Sequence, residues 1–240
     1  MIAFITSSPF REDVDRPTFS NQNGFMDRIA ANLLPYPKCL YVCSSPDRHD
    51  LNCRFGADVF MAFANMGIHF SAYRVLDGQN ADRAEELVRK SDLIVLAGGH
   101  VPTQNDFFQK IGLSRLLLNF PGVVMGISAG SMNSAGVVYA QPEEPGESVA
   151  EFQRFRPGLG LTKAQILPHY QKVKNDILDG LRLFEDITYA DSRGNIFYAL
   201  PDFSYIVDNG ERAVLYGEGY RLQDGVMTQI AKTGEQVTLY

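Results

Sequence analysis

Tryptophan is absent from these 240 residues, cysteine occurs three times and histidine four times. Each scarcity removes a class of explanation. Nowhere do about 18 apolar residues follow one another, so no segment reads as a membrane span. The 22 Lys and Arg residues stand against 28 Asp and Glu, for a formal net charge of −6, and form no basic cluster. Nucleic acids and anionic membranes, both held by clustered cations, are therefore not expected partners. Cys39, Cys43 and Cys53 are an odd number with no second pair at metal-finger spacing. They argue against a disulfide framework or zinc site and read as structural thiols suited to a reducing cytoplasm. The apolar opening, Met1 to Phe10, has no basic region before it and no small-residue cleavage site after it. It reads as a first strand, not a signal peptide.

What is present is enough for one sizeable core: 45% hydrophobic and 21% charged residues predict a single α/β domain over residues 1–240. Short β-rich runs alternate with helical patterns through the first two-thirds, the signature of βαβ units around a parallel sheet. The runs are Ile2 to Thr6, Cys39 to Cys43, Ile68 to Val75, Leu93 to Ala97 and Val123 to Met125. Helices are expected over Phe25 to Leu34, from a cap at Asp50 to about Met66, over Asp82 to Lys90 and over Asp106 to Leu118. Gln141 to Pro157 lacks periodicity and reads as an exposed loop near the turn at Ser128. Beyond Phe197 the runs are separated by Asn209-Gly210 and Asp224-Gly225, which favour tight hairpins. Antiparallel hairpins are expected to close one edge of the sheet.

The segment Gly126-Ile127-Ser128-Ala129-Gly130 fits Gly-x-Ser-x-Gly between an apolar strand and a helix-compatible stretch. In such an elbow the serine backbone is strained, and the glycines lack the side chains that would collide across so tight a turn. The hydroxyl is held clear of the sheet, and Ala129 N–H points to where an oxyanion could form.

A serine nucleophile needs a base, and the usual one is neutral imidazole. His49 lies in a polar loop and reads as a solvated surface residue; His69 sits in an alternating run, facing a helix or solvent. His100 follows Gly98-Gly99 at the carboxyl end of a buried parallel strand, where open α/β sheets bind ligands, and His169 follows Ile166-Leu167-Pro168, a strand-like run ending in a loop. Pattern alone leaves both open. No histidine lies beyond residue 169, and the hairpin region offers only acids, so the order Ser, His, acid is favoured.

Taken together, Gly126 to Ser131, Leu96-Ala97-Gly98-Gly99, and Gly158-Leu159-Gly160-Leu161 leading to Pro168-His169-Tyr170 resemble the S51 peptidases. That family includes the aspartyl dipeptidases and the cyanophycinases. The resemblance runs from the first strand into the hairpins. It implies a class I glutamine amidotransferase-like fold: a three-layer sandwich with a mainly parallel central sheet flanked by helices, plus C-terminal antiparallel hairpins. It also implies Ser128 as nucleophile, His169 as base, Asp202 in Leu200-Pro201-Asp202 as the third member, and Gly99 N–H beside Ala129 N–H in an oxyanion hole. Two departures concern the substrate. The family commonly continues Asn-Thr after the glycine pair, where this chain has His100-Val101. The aspartyl dipeptidases carry an arginine after the catalytic histidine, where this chain has Gln171-Lys172-Val173-Lys174. His100, Lys172 and Arg182 remain as candidate substrate-binding residues, and aspartyl specificity does not carry over.

The resulting expectation is a cytoplasmic serine hydrolase, monomeric or homodimeric. It would cleave a small peptide or isopeptide-like amide without metal or organic cofactor. A non-catalytic binding or regulatory protein on the same fold, and an esterase or amidase for non-peptide substrates, are the alternatives.

Overall fold

A computed structural model describes all 240 residues. The five expected runs become parallel strands: β1 (Ile2–Thr6), β2 (Lys38–Val42), β3 (Ala72–Leu76), β4 (Leu93–Leu96) and β5 (Val123–Ile127). β4 and β5 are buried along their whole length, as strands covered on both faces must be, and this is why they read as unbroken apolar runs. The remaining strands are β6 (Val137–Tyr139), β7 (Phe155–Pro157), β8 (Gln165–Leu167), β9 (Ile177–Leu178), β10 (Leu181–Arg182), β11 (Ile196–Ala199), β12 (Tyr205–Asp208), β13 (Ala213–Tyr216), β14 (Gly219–Gln223), β15 (Val226–Ala231) and β16 (Gln236–Thr238). The eight-stranded main sheet has the order β16-β13-β12-β1-β5-β4-β2-β3. β12, β13 and β16 close its β1 edge in antiparallel pairing.

The hairpins divide between two sheets, a difference from the single closed edge expected from sequence. The turn holding Asn209-Gly210 joins β12 to β13 in the main sheet. The turn at Asp224-Gly225 joins β14 to β15 in a separate four-stranded sheet, β15-β14-β11-β8. In that second sheet β8 and β11 run parallel, with Leu167 opposite Ala199. The residues that follow these two strands therefore emerge side by side.

The helices are α1 (Phe25–Ala31), α2 (His49–Asn65), α3 (Ala84–Arg89), α4 (Val101–Lys110), α5 (Leu113–Leu117), α6 (Ala129–Met132), α7 (Tyr170–Val173) and α8 (Tyr189–Asp191). Several boundaries differ from the sequence reading. The helix expected over Asp106 to Leu118 begins earlier, with Pro102 in its first turn, and is broken by Gly112 in the left-handed conformation, φ 64°. Asp50 lies inside the first turn of α2, which starts at His49 after Arg48. β3 begins only at Ala72, after a turn at Met66-Gly67 and irregular backbone over 68–71, and the helix expected from Asp82 starts as 3-10 turns over Gly78–Arg83.

Phe19, Phe25 and Phe63 meet edge to face, and Phe25 also meets Phe4 of β1, so α1 and α2 are joined to the sheet through one aromatic cluster. No helix is long and apolar enough to cross a membrane.

The tightest packing is at the turn after β5. A Cβ on Gly130 would lie 2.3 Å from the Leu96 carbonyl oxygen, and one on Gly126 would lie 2.7 Å from the Ser131 backbone. Gly130→Ala is expected to destabilise the fold by about 1–3 kcal/mol, because the obstacle is backbone and cannot swing aside. Urea denaturation checks this; an unchanged midpoint would show that the turn is looser than described.

Candidate active site

The carboxyl ends of β1, β2, β4 and β5 bring Ser7, Ser44, Gly99 and Ser128 to one end of the main sheet, where open α/β sheets bind ligands. Ser128 is at φ 50°, ψ −111°, a conformation that costs energy for a non-glycine residue. Its surroundings enforce it. Ser128 N–H is shared by the carbonyls of Thr6 and Ser7 at 3.1 and 2.9 Å, and Ser131 Oγ both donates to Thr6 O and accepts from Thr6 N–H, each at 2.8 Å. The hydroxyl is left half-buried and free of the sheet.

His169 follows β8 and is itself left-handed, φ 57°. Its Nε2 stands 2.9 Å from Ser128 Oγ, and its Nδ1 stands 2.7 Å from Asp202 Oδ1. The tautomer that fits carries its proton on Nδ1, donated to the carboxylate, and offers Nε2 to the serine hydroxyl. Asp202 follows β11, so the parallel pairing of β8 and β11 puts acid and imidazole together. Leu200 N–H donates to Leu167 O at 2.9 Å, and Tyr170 N–H donates to Leu200 O at 3.2 Å, continuing that pairing to the site.

Asp202 is held from several directions. Gln171 Nε2 donates to its Oδ2 at 2.6 Å, Lys172 Nζ lies 3.1 Å from the same oxygen, and Ser7 Oγ donates to Oδ1 at 3.0 Å. Burial opposes ionisation here, but the hydrogen bond and charge of His169, with the hydrogen bonds of Lys172 and Ser7, hold the carboxyl far below the ordinary range. A carboxyl lowered in the folded state stabilises the fold above its unfolded pKa. That contribution is lost as pH falls towards the folded value.

Ser7 has no counterpart in the sequence reading. It is wholly buried and contacts all three residues: its carbonyl accepts Ser128 N–H at 2.9 Å, its Oγ accepts His169 N–H at 2.7 Å, and the same hydroxyl donates to Asp202. The only sequence signal is a small polar residue at the carboxyl end of a central strand, which does not reveal its partners.

Gly99 and Ser128 line one cavity of about 240 Å³ together with His169. Gly99 is at φ 146°, and a Cβ there would strike Ser44 Oγ at 2.3 Å, so glycine is required on two grounds. Its N–H has no acceptor within the chain. Ala129, buried, directly follows Ser128. The expected loop after Gln141 forms part of the cavity wall through Gln141, Pro142 and Glu143, and its last residues are β7, paired with β6. Glu147 folds the loop back: its Oε2 accepts the N–H groups of Glu143 and Glu144 at 2.9 and 3.0 Å.

None of His100, Lys172 and Arg182 lines the cavity. His100 Nε2 pairs with Glu147 Oε1 at 2.8 Å and its Nδ1 with Thr103 Oγ1 at 2.7 Å. Lys172 is turned to Asp202 and Glu12, and Arg182 is bound two-pronged to Asp186. Ligand atoms of His100, Glu144 and Glu147 lie within 4.8 Å of one another. The contacts of Glu147 with His100 and with two loop amides account for that grouping without an ion. His49, expected as a solvated loop residue, instead opens α2 and pairs with the buried Asp77, whereas His69 is exposed before β3.

Ser7→Ala leaves His169 N–H without its acceptor and removes a donor from Asp202. A loss of about 1–3 kcal/mol is expected, read by urea denaturation. A variant as stable as the parent would show that the Ser7 hydroxyl does not hold the site together.

Three comparisons bear on this arrangement. The sequence model of peptidase family S51 matches residues 22–215. No curated protein matches the chain in sequence. Among solved structures, the 1.5 Å crystal structure of a "Putative Peptidase E Protein from Listeria monocytogenes EGD-e" is similar, with a TM-score of 0.59. At 15% identity over 96% of this chain and 98% of that one, the likeness is one of fold. With the family match spanning most of its length, the chain belongs to peptidase family S51, a family of serine peptidases.

Proposed function

We propose that the chain hydrolyses a small peptide or isopeptide-like amide through an acyl-enzyme on Ser128. The observation that carries this reading is the unbroken line from Ser128 Oγ to His169 Nε2, 2.9 Å, and from His169 Nδ1 to Asp202 Oδ1, 2.7 Å. A hydroxyl, an imidazole and a carboxylate so connected form a nucleophile, a base and the group that orients and balances that base. His169 takes the serine proton as Oγ attacks the carbonyl carbon, and Asp202 stabilises the imidazolium. The N–H groups of Gly99 and Ala129 receive the oxyanion. The imidazolium then protonates the leaving amine, and water repeats the sequence to free Ser128.

Cavity size and charge narrow the substrate. About 240 Å³ is below the usual range of ligand pockets, roughly 300–1,000 Å³, and suits a dipeptide-sized molecule. Its lining combines the buried apolar residues Val101, Met132 and Leu183 with the carboxylate-bearing residues Glu143 and Asp176, and includes no Lys or Arg. The closely packed protein around Glu143 raises its pKa, against the Val101 N–H and His100, which lower it, and Glu147 and Glu144 raise it further. A cationic group relieves that crowding of negative charge, whereas an acidic side chain adds to it. The apolar lining fits the aliphatic stem of a basic residue. A lysyl or arginyl side chain beside the cleaved bond is therefore favoured over an aspartyl one.

A dipeptide and ester panel tests both levels. Lysyl dipeptides should exceed aspartyl ones in kcat/KM by about tenfold, roughly 1.4 kcal/mol, and Glu143→Gln should narrow the gap. Ser128→Ala should lower kcat by about 10⁴-fold or more. Turnover that survives Ser128→Ala would overturn the mechanism, an aspartyl preference would overturn only the charge assignment, and cleavage of esters alone would favour an esterase.

A further inference from the structure

The three cysteines are not alike. Cys39 and Cys43 are buried, and burial drives both thiols upward, Cys43 to about 12. Cys53 is exposed on α2, one helical turn after His49, with its Sγ 3.5 Å from His49 Nε2. The other imidazole nitrogen, Nδ1, lies 2.7 Å from Asp77 Oδ2. Asp77 is completely buried at the end of β3, and its other oxygen accepts Gln79 N–H at 2.9 Å in a reciprocal cap with Asn80. This carboxylate is fixed in place, and its one salt-bridge partner is His49. Thiol, imidazole and buried carboxylate are thus connected in line, the order in which a nucleophile, its base and an orienting acid are arranged.

We propose that Cys53 is a second nucleophilic site, one that exchanges with small disulfides of amino-acid-derived thiols. His49 accepts the Cys53 proton, and Asp77 orients and balances the imidazolium. The thiolate attacks one sulfur of the disulfide, so that a bond from Cys53 Sγ to that sulfur forms as the original S–S bond breaks. The departing thiolate takes the proton from His49. Atoms and electrons balance with no further oxidant. The partner's chemistry follows from the neighbouring surface. An open cavity of about 490 Å³ is lined by His49, the imidazole beside Cys53, with Arg48, Arg54, Asp47 and Asp50; Cys53 itself is outside that lining. That mixture of charge matches the carboxylates and ammonium groups of a zwitterionic disulfide. The site is built on α2 and the end of β3 and shares no residue with Ser128, His169 and Asp202, so it stands whether or not the hydrolase reading does.

Oxidised glutathione is a direct probe. Incubated with the folded full-length chain at pH 6.5, it should give a single adduct by intact mass, mapped to Cys53 by peptide mass spectrometry and absent in Cys53→Ser. In His49→Asn the rate should fall at least tenfold. In Arg54→Ala the rate with oxidised glutathione should fall, while the rate with uncharged hydroxyethyl disulfide should not. Equal rates for parent and His49→Asn would overturn the proposal by making Cys53 an ordinary exposed thiol, and so would an adduct confined to Cys39 or Cys43. Should His49→Asn prove unfolded by circular dichroism, the parent rate at Cys53 is compared with that of a free cysteine peptide. An advantage below threefold then overturns the proposal.

Discussion

The site depends on one buried hydroxyl-bearing residue at the end of the first strand. Ser7 ties the backbone of Ser128 to that of His169 and reaches Asp202 through the same Oγ. The two halves it joins belong to different sheets: β5 of the main sheet presents the serine, and β8 and β11 of the second sheet present the histidine and aspartate. A seam between two sheets has no hydrogen-bond ladder of its own to set its spacing. Ser7 supplies polar contacts across it, and the separation of Ser128 and His169 follows. The strain at Ser128 is sustained in the same way, since Thr6, Ser7 and Ser131 hold it with hydrogen bonds that a relaxed turn would forfeit.

How much of this was legible in the sequence depended on the range of the forces involved. The turn at Ser128 could be read because its constraints are local: glycines two residues either side of the serine are needed for steric reasons that Gly126 and Gly130 display. The parallel strands could be read because burial on both faces leaves an unbroken apolar run. The choice between His100 and His169 could not be read from pattern, since both follow strand-like runs. It turns on β8 pairing with β11, a contact between segments about thirty residues apart. Ser7 and Gln171 were invisible for the same reason. Gly112 split a helix whose apolar pattern runs on across the break, and the two hairpins went to different sheets because turn residues specify a hairpin but not its neighbour.

The proposed preference against an aspartyl side chain rests on charge distribution. His100, Lys172 and Arg182 each have an acidic partner, in Glu147, in Asp202 and Glu12, and in Asp186. The cavity is left with carboxylates. The contrast with Cys53 is instructive, because that residue also has an imidazole and a carboxylate in line. Ser128 shares a partly open cavity with Gly99, an arrangement that suits the acyl transfer proposed above. Cys53 lies on an open surface of mixed charge, which suits exchange with a soluble disulfide better than hydrolysis.

The proposed chemistry needs Ser128 to be a nucleophile activated by His169. Its most direct test is the reaction of the folded chain with a fluorophosphonate, followed by intact mass and peptide mapping. A single adduct on Ser128 is expected, absent from the unfolded chain and formed far more slowly in His169→Ala. No adduct on the folded protein, or an adduct on Ser128 whose rate ignores His169, would contradict it.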